Sequence, residues 1–139
     1  MKIIKLSFLI CFTFLLFTSC NNDDDNTNSS TTINGNWHLK NVRGGFVGIN
    51  IDYNRGEVIY DFNLSNNTVD ITNNIESTGP EDIYAGLDSG TYSIRIEQNG
   101  TTETLFIDNV DKGTIDFQGN ILLLDDNIAA DGFLMEFER

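Results

Sequence analysis

The chain has 139 residues with 21 acidic and 8 basic side chains, giving a formal charge of −13, and holds one His and two Cys. That length allows one small domain, and the charge excludes nucleic acid as a partner, since phosphate binding needs clustered Lys and Arg. One His and two Cys are too few for a zinc site of His and Cys or for a disulfide framework, so no metal and no cofactor is expected.

Residues 1–19 contain Lys2 and Lys5, an almost unbroken apolar run from Leu6 to Phe17, and then Thr18 and Ser19. A positive start, about a dozen apolar residues and small residues behind them make a secretory signal peptide, because the run is short for a membrane span. The junction Leu16-Phe17-Thr18-Ser19-Cys20 resembles a bacterial lipoprotein lipobox. That resemblance implies diacylglycerol on the Cys20 thiol, cleavage before it, and acylation of the new amino group, as by palmitate. Cys20 is then a membrane anchor. Cleavage there leaves 120 of the 139 residues and removes Lys2 and Lys5, so six basic side chains face 21 acidic ones and the charge becomes −15.

Residues 20–34 form the lipidated Cys and an acidic tether in which Ile33 is the one apolar side chain after Cys20. So polar a segment buries too little surface to offset its ordering entropy. Asp23-Asp24-Asp25 looks like the acidic export signal of surface-exposed lipoproteins in one Gram-negative phylum. This implies lipid anchoring at the outer membrane with the domain on the cell surface; the periplasmic face is the alternative.

From Gly35 to Arg139 the hydrophobic period is two. Val58, Tyr60, Phe62 and Leu64 share one face of a strand, opposite Glu57, Asp61 and Asn63. The same alternation and the intervening turn residues predict eight strands: 36–43, 57–64, 67–73, 90–98, 101–108, 113–118, 120–125 and 132–138. Asn99-Gly100 suits a type I′ hairpin turn and Gly119-Asn120 a type II′ turn, while Asp111-Lys112-Gly113 and Asp131-Gly132 mark further reversals. Two longer connections remain, 44–56 and 74–89, with room for no more than a short helical turn. Eight antiparallel strands in meander order close most economically into an all-β up-and-down barrel, which leaves no edge exposed; a β-sandwich is the alternative.

Gly35-Asn36-Trp37, Gly44-Gly45-Phe46, Ile59-Tyr60-Asp61-Phe62, Gly90-Thr91-Tyr92 and Phe137-Glu138-Arg139 follow one another over about 100 residues. In this order they resemble the small lipocalin-like domains of bacterial lipoproteins, although the chain lacks room for the helix that follows the barrel in full-size lipocalins. The resemblance implies structural roles for Trp37, plugging one barrel end, and for Arg139, stacking on it.

No Gly-x-Ser-x-Gly elbow, His-Glu-x-x-His or phosphate loop occurs, so no catalytic residue and no enzyme activity is expected. The single His38 follows Trp37 and points outward. The turns 108–113 and 125–132 are rich in Asp, but Asp, Asn and Gly dominate turns for conformational reasons, and neither matches a calcium loop. An interior lined by Tyr60, Phe62, Tyr92, Ile94, Phe117, Phe133 and Met135 is bulky enough to be packed, or to hold one small apolar ligand or lipid. The expected mouth lies between the two long connections, with Phe46, Tyr53 and Tyr84 at its rim. The competing expectation is a protein-interaction or inhibitor module that uses loops 44–56 and 74–89.

Overall fold

A computed structural model describes residues 32–139. The expected signal peptide, Cys20 and the expected tether through residue 31 lie outside the described residues. The chain forms β1 (Gly35–Gly44), β2 (Ile49–Asp52), β3 (Val58–Asn63), β4 (Thr68–Asn73), α1 (Pro80–Tyr84), β5 (Gly90–Asn99), β6 (Thr102–Ile107), β7 (Val110–Gln118), β8 (Ile121–Asp126) and β9 (Phe133–Glu138). Neighbours from β3 to β9 pair antiparallel, and β1 pairs with both β3 and β9. The result is a closed eight-stranded antiparallel barrel with one additional strand, β2, so the sandwich alternative does not occur.

That ninth strand was missed in the connection 44–56. It runs along the same edge of β1 as β3 does. Asn41 faces Asp52 and His38 faces Ile59, so three steps on β1 are matched by seven opposite, and four residues bulge out between β2 and β3. Asn41, only 7 % exposed, pins β2 with its side-chain amide, which donates to Asn50 Oδ1 at 2.8 Å and Asp52 Oδ1 at 2.9 Å.

The alternation predicted for the third element is visible in β3, where Val58, Tyr60 and Phe62 are buried and Asp61 and Asn63 exposed. Leu64 lies beyond the strand and is exposed instead of facing in. The turn at Gly119-Asn120 has the expected type II′ pattern, with positive φ at Gly119 alone, but two other turns differ from expectation. Asn99 pairs with Thr102, so the turn is Gly100-Thr101, with positive φ at Gly100 alone, which is the type II′ pattern and not type I′. The reversal expected at 111–113 falls earlier, at Asp108-Asn109, whose φ angles of 48° and 64° fit a type I′ turn. Asp111 to Gly113 therefore belong to β7. There, the three steps from Asp111 to Thr114 face the two from Phe106 to Thr104, a one-residue β-bulge. Gly113, at φ +100°, occupies the bulge because any Cβ there would strike the Asp125 backbone.

The interior is filled. Trp37, Phe62, Phe137, Leu39, Leu105 and Leu122 are essentially fully buried in one continuous core. One end, here the lower, is closed by Trp37. Arg139 lies with its guanidinium carbon 4.1 Å from the Trp37 ring centroid, and its Nη2 donates to the carbonyls of Thr32 at 2.6 Å and Asn34 at 2.7 Å. The Trp37 indole N–H donates to the Ile33 carbonyl at 2.6 Å, and Ile33 itself is 3 % exposed. The last residues assigned to the tether are thus packed on the barrel, and the folded unit begins before Gly35.

This arrangement sets an order of costs. Trp37→Ala, which empties a fully buried site, is expected to lose about 3–5 kcal/mol in urea unfolding, and Arg139→Ala about 1 kcal/mol. Equal losses for the two would contradict the geometry.

Candidate functional site

The upper end of the barrel carries the turns 45–48 and 108–109 and the connections 74–89 and 127–132. The 74–89 segment lies across it. Pro80 starts α1, its ring preset for the first helical turn, and Glu81 and Asp82 follow in that turn, where negative charge suits the helix dipole. Ala85, just after α1, is fully buried.

Three tyrosines fasten this segment. Tyr53 donates its hydroxyl to the Glu81 carbonyl at 2.9 Å, Tyr92 donates to the Asp88 carbonyl at 2.9 Å, and the Leu87 N–H donates to the Tyr60 hydroxyl at 3.4 Å. Gly86 sits so close to the Tyr60 hydroxyl that a Cβ would collide with it, and its φ of +100° also favours glycine. Burial pushes the phenols of Tyr53 and Tyr60 up to about 12.

Beside this segment a cleft of about 320 Å³ opens, lined by Ile83, Tyr84 and Gly86 on one side and by Val42, Lys112, Leu124, Asp126, Phe133 and Met135 on the other. Tyr84 packs on Phe133 with ring centroids 5.5 Å apart. The wall is mainly apolar. Lys112 and Asp126 supply its two charges.

Of the side chains expected to line a ligand site, Tyr84, Phe133 and Met135 meet in this cleft. Tyr53, Tyr60 and Tyr92 hold the segment above it. Phe62 and Ile94 are buried core, and Phe117 sits near the lower end, 5.9 Å from Trp37. Phe46 is 90 % exposed on the turn between β1 and β2 and is not part of the cleft wall. The cleft does not lie between connections 44–56 and 74–89, where a mouth is expected from the sequence. Those two are tied together by the Tyr53 hydroxyl, and the opening lies on the other side of α1, against β7, β8 and β9. Val42, Ile83 and Lys112 also line the cleft and were not expected there; for Ile83 the signal was available in Gly79-Pro80 followed by two acids, a helix start.

His38 stands between Ile59 and Glu138 on the flanking strands, away from the cleft. Burial, helped by Arg55 and opposed by Glu138, lowers its pKa below the usual value. The Asp-rich turns employ their carboxylates on backbone: Asp111 Oδ1 accepts the Gly113 N–H, and Asp125 Oδ1 the Ile128 N–H, each at 2.8 Å. Among the described residues no three acidic, His or Cys groups converge as metal ligands.

Compared with known proteins, the chain matches no family model, no curated protein and no solved structure.

The two raised phenols fix a pH window. Tyr53 and Tyr60 bind their protons more tightly when folded, so their contribution is complete below the unfolded value near pH 10 and is lost as pH rises through about 12. Phenolate absorbance against pH should show two late-titrating tyrosines. Tyr53→Phe should remove one of them and raise hydrogen exchange in 79–88, while global stability changes by about 1 kcal/mol.

Proposed function

We propose that the chain is a lipid-anchored, non-enzymatic, lipocalin-like binding protein that takes a small apolar ligand in the cleft beside α1. The observation that carries this reading is the cleft itself: its volume of about 320 Å³ falls in the range of about 300–1,000 Å³ common for ligand sites, and its wall is apolar with few polar groups. The packed interior supports an end-on site over one along the barrel axis. The closed eight-stranded barrel is compatible with the lipocalin-like motifs, and the lipobox residues support an anchor on Cys20 at the outer membrane. Thr32, where the described chain begins, lies at the Trp37 end of the barrel. On this reading the domain stands on the cell surface or, in the alternative, in the periplasm.

A second reading, a protein-interaction module, is favoured by one specific feature. Phe46, Val47 and Ile83 are 90 %, 79 % and 69 % exposed, and all three lie at the upper end of the barrel. Exposed apolar side chains gathered at one end mark contact surfaces more often than scattered ones do.

A neutral naphthylamine probe titrated into the protein separates the readings. Ligand binding predicts saturable fluorescence that Tyr84→Ala weakens about tenfold and that Phe46→Ala leaves unchanged. No saturable signal, together with a protein partner whose capture requires Phe46, would support the second reading instead. Metabolic labelling with a fatty acid tests the anchor: Cys20→Ser should abolish the label.

A further inference from the structure

Six cations stand among the described residues, and five of them are engaged. Lys40 and Arg43 share Glu136, at 2.7 and 3.4 Å, and Arg55 meets Glu138 at 2.9 Å. Arg95 pairs with Glu97 and lies over the Phe106 ring, and Arg139 caps Trp37 and two carbonyls. Lys112 is the exception among the described residues: its ammonium has no carboxylate within ion-pair distance and makes no hydrogen bond to the protein. In a chain with 21 acidic side chains this is a notable vacancy. Two nearby acids are turned elsewhere, since Asp111 and Asp125 accept backbone N–H groups.

The location of Lys112 gives the free charge meaning. The one-residue bulge in β7 brings it, half-buried, onto the wall of the apolar cleft, beside Leu124 and near Phe133 and Met135. There its methylene stem can lie along the apolar wall while the ammonium stays at the rim. A charge at a partly desolvated rim attracts an opposite charge more strongly than one in open water does. Apolar wall and free cation together complement one type of molecule.

Resting on the binding reading of this cleft, we propose that its ligand is a single-chain amphiphile with one negative charge, the head paired with Lys112 and the chain lying against Tyr84, Phe133 and Met135. Asp126, exposed on the same rim, opposes such a head. The two residues therefore act with opposite sign on anion binding, which a purely apolar site would not show.

The test is calorimetric titration of the full chain carrying Cys20→Ser, with dodecanoate, dodecanol and dodecyltrimethylammonium, each kept below micelle formation. Dodecanoate is expected to bind about tenfold more tightly than dodecanol. Lys112→Met should bring dodecanoate down to the dodecanol level without changing dodecanol, Lys112→Arg should keep the preference, and Asp126→Asn should strengthen dodecanoate. Equal binding of dodecanoate and dodecanol, insensitive to Lys112→Met, would overturn the anionic assignment while leaving an apolar site in place. A preference for the ammonium compound would overturn it as well. Failure of all three to bind would remove the cleft reading itself.

Discussion

Closure of the sheet through β1 is the constraint on which everything else depends. On one edge β1 bonds to β9 from His38 to Gly44, and on the other to β3 below and β2 above. Both edges are occupied along most of its length, and the barrel escapes the open edge that would invite pairing with another chain. Closure also fixes which side chains face in. Once Trp37 is inward at the start of β1, register assigns Tyr60 opposite it and Phe137 opposite Leu39, and the interior fills with large rings.

A filled interior decides where open volume can lie. Eight strands enclose a space that side chains can occupy completely, and Trp37, Phe62 and Phe137 do so here. The free volume is displaced to the upper end, where connections are long enough to leave gaps. The tyrosine hydroxyls that hold 74–89 give the cleft a fixed wall in place of a loose loop.

Much of this architecture could be read from residue order. The period of two in 57–64 and 132–138, and the glycines at 100 and 119, located eight of the nine strands, because alternation reports burial on one face and turn residues report positive φ. What escaped depended on pairing across the barrel. β2 has a weak pattern of four residues and is held by its register with β1 and by the Asn41 amide, which reaches partners nine and eleven residues further on. Asp111-Lys112-Gly113 has the composition of a turn, yet the sharper turn is Asp108-Asn109, and only the register with β6 and β8 shows that Gly113 relieves a collision inside a strand. The cleft shared that fate. Its members Tyr84, Phe133 and Met135 stood out as bulky residues, but Lys112 acquires its place from a bulge that no local pattern announces.

The four residues that bulge out between β2 and β3 have one further consequence. Hydrogen bonding to β1 resumes on both sides of them, and Asn54 and Arg55 are exposed, held only by surface contacts to Glu57 and Glu138. Chain length can therefore vary at this point without shifting either flanking register. The excursion is a natural insertion point, a place on the barrel's flank where a peptide tag could be grafted while the core and the cleft keep their geometry.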